Sequence, residues 1–186
     1  MLLCFLAALG ATWVAWLFLR GKTAWDALEG MPVTAVKDLR PGERQRVRGT
    51  VVALEAPPRS PLQGKPCVVA RLIVAVDGRE LVEELAETFG VQDGTGTVRV
   101  AMQRHEALFA TSYKQTPAPG APLPGAVKRL VDAGAPGRMP THWSEELLSP
   151  GDPVTALGLV GAGANEVSAP EGEALRLSNV ARLAQG

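Results

Sequence analysis

The sequence predicts a mainly β fold: a small curled β-barrel domain behind one N-terminal transmembrane helix, with one short helix in a Pro/Gly-rich excursion. Three observations carry this expectation. Gly 20 and Pro 15 among 186 residues are too many for a helical bundle and suit a β protein rich in turns. Two tight hairpin signals, Asp77-Gly78 and Asp93-Gly94-Thr95-Gly96, each separate β-prone runs. The first 19 residues carry no charged side chain.

Met1 to Leu19 would span roughly 28 Å as a helix at about 1.5 Å per residue, close to the hydrocarbon thickness of a bilayer. Trp13 and Trp16 stand near its far end, and Arg20 and Lys22 follow at once, as at a membrane interface. A cleaved signal peptide needs a basic start and a small-x-small cleavage site, and this run has neither. Residues 1–22 are therefore expected to form a retained single-pass anchor and 23–32 a juxtamembrane linker. Positive charge on the C-terminal flank places the remaining domain, 33–182, on the cytoplasmic side.

After a short lead-in over Val33 to Asp38, the Pro-Gly turn at Leu39–Glu43 opens a strand from Arg46 to Leu54, with Val47, Gly49, Val51 and Ala53 on one face. Ala56 to Pro66 is a proline-studded loop, and Cys67 to Val76 an apolar strand whose one charge is Arg71. Asp77-Gly78 favours a strand for the return arm, Arg79 to Phe89, although its pattern alone also allows a helix. Phe89–Asp93 and Thr97–Ala101 flank the second hairpin, whose glycines can take positive φ.

Arg104 to Tyr113 reads as a helical turn or loop. Residues 116–140 read as a mobile excursion carrying a helix at Ala126–Ala133, stopped by Gly134. Leu148-Ser149-Pro150-Gly151-Asp152 then starts a strand, Val154 to Val160. It repeats the chemistry of the first: Leu-x-Pro-Gly-acid, and a second glycine seven residues after the first, at Gly49 and at Gly158. Glycine inside a strand marks a bend where a sheet curls. Gly161 to Ala174 is a loose loop, and a last strand runs from Ala174 to Arg182. This order has the flavour of the oligonucleotide/oligosaccharide-binding (OB) fold.

With these blocks placed, the chain resembles the membrane-side domain of the mitochondrial RING ubiquitin and SUMO ligases and its bacterial relatives, the GIDE or "beside a membrane" domain. The first matching block is Ser60-Pro61-Leu62-Gln63-Gly64-Lys65-Pro66-Cys67-Val68. The second is Phe89-x-x-x-Asp93-Gly94-Thr95-Gly96-x-Val98-x-Val100. The third joins Glu145 or Glu146 to Leu148-x-Pro150-Gly151-Asp152-x-Val154-x-x-x-Gly158. The resemblance covers roughly residues 33–182. It implies a structural role for Pro61, Leu62, Gly64, Pro66, Cys67, Phe89, Asp93, Gly96, Glu146, Gly151, Asp152 and Gly158. It departs from the family at Val68-Val69-Ala70, where members carry aromatic residues. Ligase chemistry does not carry over, because a RING needs two zinc sites and only Cys67, His105 and His142 stand outside the anchor run.

The chemistry-bearing residues are expected to be structural. Cys67 begins an apolar strand with no adjacent base. His105 and His142 belong to no metal-binding frame and are expected at the surface. Glu145 and Glu146 read as a solvated loop. Arg44, Arg46 and Arg48 alternate along the first strand as a charged solvent face, a possible surface-binding stripe. Lys+Arg 19 balances Asp+Glu 19, so no long-range field favours nucleic acid. The expected function is a membrane-anchored, non-catalytic interaction module with a protein partner and no cofactor. A membrane-tethered barrel binding single-stranded nucleic acid is the alternative.

Overall fold

The computed structural model describes residues 30–180. The anchor expected over 1–22 lies outside them, as does all but the end of the 23–32 linker. Among the described residues no helix is long and apolar enough to cross a membrane.

The domain is mainly β. Its strands are β1 (Arg44–Ala53), β2 (Val69–Val76), β3 (Arg79–Ala86), β4 (Phe89–Asp93), β5 (Gly96–Val100), β6 (His105–Leu108), β7 (Thr111–Gln115), β8 (His142–Leu148), β9 (Pro153–Val160), β10 (Glu166–Ser168) and β11 (Leu175–Ser178). The helix α1 (Gly125–Gly134) lies between β7 and β8. Five strands close into a barrel in the order β1-β4-β5-β10-β9, and β9 returns to β1. All these pairings are antiparallel except β5 with β10. On the edge of β9 that β10 leaves free, β11 pairs with Thr155–Leu157 and passes the sheet on to β6.

Closure runs through β1 and β9, each of which meets more than one neighbour along its length. β1 pairs with β9 over Arg44–Thr50 along one edge and with β4 over Thr50–Ala53 along the other, so the second partner joins just after Gly49. On β9, β11 ends at Leu157 and β10 begins at Leu159, so the change falls at Gly158. Each glycine thus stands next to the point where a further strand joins, β4 after Gly49 and β10 after Gly158. The turns that precede them also match: Gly42 and Gly151 both adopt left-handed φ, +78° and +93°. Each turn docks on the other's strand, Gly42 N donating to Val160 O and Gly151 N to Val51 O. Val47, Val51, Phe89, Val91, Val98, Val100, Val154, Ala156, Val160 and Val167 fill the barrel.

The two long connections of the barrel, β1 to β4 and β5 to β9, build a second sheet in the order β3-β2-β8-β7. Its β2–β3 hairpin turns through Asp77 and Gly78, both left-handed, which settles the return arm as strand. Leu72, Val74, Val76 and Trp143 bury one face under Val127 and Val131 of α1. Gly134, the last residue of the helix, packs closely on Leu81: a Cβ there would lie 2.8 Å from Leu81 Cδ2.

Several expectations are corrected. Residues 104–113, read as a helical turn or loop, contain β6 and the start of β7. Glu145 and Glu146 lie on β8, not in a solvated loop. The loop expected over 161–174 contains β10, the strand that completes the barrel. Gly94 and Gly96 do not take positive φ. Their turn is held instead by Asp93, whose Oδ1 accepts from Thr95 N, Thr95 Oγ and Gly96 N. The lead-in forms a 3-10 turn at Val36–Asp38, pinned where Val36 N donates to Asp93 Oδ2 at 2.8 Å. Although burial disfavours the Asp93 anion, these hydrogen bonds from Thr95, Val36 and Gly96 outweigh it and hold the carboxyl below its usual range.

Candidate functional site

Two polar constellations stand out, both on the second sheet and both involving β8. The first explains the Pro61-Leu62-x-Gly64-x-Pro66-Cys67 block. The Ser60–Pro66 loop folds on itself, with Ser60 N donating to Lys65 O and Gly64 N to Ser60 O. Glu145, wholly buried on β8, receives the loop. Its carboxylate accepts from Leu62 N at 2.8 Å, Gln63 N at 3.3 Å, Gln63 Nε2 at 3.1 Å and Ser60 Oγ at 3.3 Å. A buried carboxylate surrounded by donors is a structural fastener. Cys67 follows, fully buried, its thiol facing Pro58 O at 3.7 Å. Burial, and then the nearby Glu145 charge, push the Cys67 thiol up, the opposite of an activated nucleophile.

The second constellation crosses three strands. Arg71 on β2 stands opposite Glu84 of β3 and Glu146 of β8. Its Nε donates to Glu84 Oε2 at 2.9 Å, and its NH1 lies 3.5 Å from Glu146 Oε2. The same NH1 reaches Ala107 O on β6 at 3.5 Å. His105, also on β6, places Nε2 2.6 Å from Glu84 Oε1. Its side chain is only 8% exposed, so the surface expected for His105 is corrected: it faces the second sheet. His142 is partly exposed at the start of β8.

Burial raises the Glu146 carboxyl above its ordinary range; Arg71 opposes this, while Glu80 and Glu84 add to it. The ionised form is thus disfavoured by folding. The stability linked to this group is present below the ordinary carboxylate range and is lost as pH rises through the raised value. Glu146→Gln is therefore expected to change stability at pH 7 by less than about 1 kcal/mol. It should also flatten the decline in Tm between pH 4.5 and 7, checked by thermal scans across that range. An unchanged slope refutes the assignment.

Arg71 and Glu84 were not singled out from sequence, yet a signal existed. The two-residue turn at Asp77-Gly78 fixes the register, and reflection across it sets residue 71 against residue 84.

The remaining motif residues are scaffold. Phe89 is buried in the barrel, Gly96 packs against Val36, and Asp152 Oδ2 caps Ser149 N at 2.7 Å. The arginine stripe is corrected as well. Arg46 is 1% exposed, strapped under the incoming chain, with NH1 donating to Met31 O at 3.0 Å and its carbonyl accepting Thr34 N. Arg44 pairs with Glu173 at 2.9 Å, and of the three only Arg48 is exposed. The stripe is broken at its centre.

Comparison of the chain with protein-family models, with curated proteins and with solved structures finds no match.

Proposed function

We propose that this chain is a membrane-anchored, non-catalytic interaction module resembling the GIDE domain, which holds a protein partner at the bilayer surface, on the cytoplasmic side that the charges flanking the anchor run favour. The observation that carries this reading is β7. Among the described residues it is the outer strand of the second sheet and pairs only with β8, and all five of its residues are exposed. Such an edge offers unpaired backbone groups to an extended segment of a partner, which adds as a further strand. The sheet behind it is braced by α1 and by the Glu145 fastener, so the edge is presented by a rigid support.

The OB-like alternative has its own support. The barrel order, with its parallel third and fifth strands, resembles that of the OB fold, which binds single strands in many proteins. Base stacking needs exposed aromatic rings. Among the described residues Phe89, Phe109 and Trp143 are buried, and Tyr113 on β7 is the one exposed aromatic. The barrel exterior offers Arg48 and Arg99, and Arg99 is paired with Glu166 at 3.4 Å.

Photocrosslinking in native membranes separates the readings. A crosslinking amino acid replacing Tyr113 in the full chain should give a discrete protein adduct, and one replacing Arg99 should give none. Salt-sensitive adducts to nucleic acid at position 99, with no protein adduct at 113, would reverse the assignment.

A further inference from the structure

The second sheet has two borders, and among the described residues β3 is the longer of them, paired only with β2. The hairpin turns through Asp77 and Gly78, both with positive φ, which makes Val76–Arg79 its closing hydrogen-bonded pair. Hydrogen-bonded and non-hydrogen-bonded pairs then alternate along the ladder. The backbone groups of Leu81 and Glu83 therefore face β2. Those of Glu80 and Val82 face outward, where no described strand meets them.

Side chains alternate as well. Arg79, Leu81 and Glu83 lie on the face that carries α1, where Leu81 joins the cluster around Val127 and Val131 and Glu83 holds Arg129 at 2.9 Å. Among the described residues Arg79 has no acidic partner. Glu80 and Val82 lie on the other face, and Val82 is 51% exposed. Arg79, Leu81 and Glu83 thus present a cation, an apolar side chain and an anion at every second residue. Turned end to end, that pattern is its own complement.

We propose that β3 pairs antiparallel with β3 of a second copy of this chain, in the register that sets Leu81 against Leu81. Directly opposed residues share a face and a hydrogen-bonding direction, so the two-fold axis passes through a residue rather than between two. Centred on Glu80, Glu83 or Glu84, the pairing sets that glutamate against itself; centred on Val82, it sets Glu80 against Glu84. Centred on Leu81, it opposes no like charges. Arg79 then meets Glu83 on both sides of the Leu81 pair, and Glu80 meets Val82 and covers it. The outward backbone groups of Glu80 and Val82 exchange hydrogen bonds between the copies. Glu80 stands diagonal to Glu80 of the second copy, about 7–8 Å away at the exposed rim, where water and salt weaken the repulsion. The result is one continuous sheet with the helices of both copies on the same face. β7 borders the sheet on its other side, so this pairing leaves that edge free and does not depend on what β7 binds.

Light scattering of the full chain in detergent micelles, with the detergent mass subtracted, should give a dimer. Arg79→Glu sets like charges opposite each other on both sides of the axis and should weaken association on the order of tenfold or more. Adding Glu83→Arg to it restores opposite charges between the copies and should restore the dimer. Circular dichroism checks that each variant keeps its fold. The register is read by oxidation in a Cys4→Ala background, since Cys67 is wholly buried. Leu81→Cys brings two sulfurs together at a non-hydrogen-bonded pair and should crosslink. Val82→Cys leaves them offset by two residues, beyond the reach of a disulfide, and should not. A wild-type monomer overturns the proposal. So does a dimer that Arg79→Glu leaves intact, one that the double variant fails to recover, or one that crosslinks through position 82 and not through 81.

Discussion

Gly49→Val and Gly158→Val are each expected to cost about 3 kcal/mol or more, lowering Tm by roughly 6–12 °C for a domain of this size. The cause is space, not backbone conformation. A Cβ at Gly49 would overlap the Gln92 carbonyl oxygen and lie 2.7 Å from its carbon. A Cβ at Gly158 would overlap the Ser168 carbonyl oxygen and lie 2.7 Å from Leu175 Cδ1. In both places the obstacle is the backbone of a neighbouring strand, which cannot rotate away as a flexible side chain can. Relief requires β4 to lift from β1, or β10 from β9, and either movement opens the barrel. Alanine introduces the same Cβ and should recover little of the loss. Gly125→Ala is the control: nothing lies within 4 Å of the added atom, at the first residue of α1, and Tm should hold or rise slightly. Thermal melts of the three variants decide the matter. A barrel unaffected at 49 and 158 would mean that the curl does not depend on the close approach.

The recurrence of those glycines was legible because it is local. A Pro-Gly turn followed by a glycine seven residues on is written in one stretch of chain, and both copies fold alike. The hairpins at 77–78 and 93–96 were legible for the same reason. What escaped was non-local. β7 is exposed along its length, so it shows no apolar alternation, and β8 does alternate but with Glu145 at an inward position. A glutamate is buried only when donors await it, and these come from a loop 83 residues earlier in the chain. Arg46 follows the same logic: its burial depends on Met31–Thr34 crossing over it. Sequence alternation told which way residue 46 points, but not that something would cover it.

Glu145→Ala is expected to be among the most damaging single changes in the second sheet, at about 3 kcal/mol, and Glu145→Gln to cost about 1–2 kcal/mol. Alanine removes the acceptor for Leu62 N, Gln63 N, Gln63 Nε2 and Ser60 Oγ together, and leaves a polar hollow beside Leu72, its cross-strand neighbour. Glutamine keeps the shape and one oxygen, but turns an amide donor toward donors. The loop should respond before the sheet does. Ser60 Oγ accepts Lys65 N as well as donating to Glu145, so releasing the carboxylate also loosens the loop's own closure. Trypsin reports this directly, since Arg59 lies at the loop's start with its guanidinium on Gly64 O at 2.8 Å. Cleavage after Arg59 should accelerate in Glu145→Ala at temperatures well below its Tm and stay slow in Glu146→Gln. Position 146 is the informative neighbour: it bears the same side chain one residue along the strand, facing Arg71 instead of the loop. Equal cleavage rates and equal melting temperatures at the two positions would show that the loop is held by its own turn, and that the buried carboxylate is not its fastener.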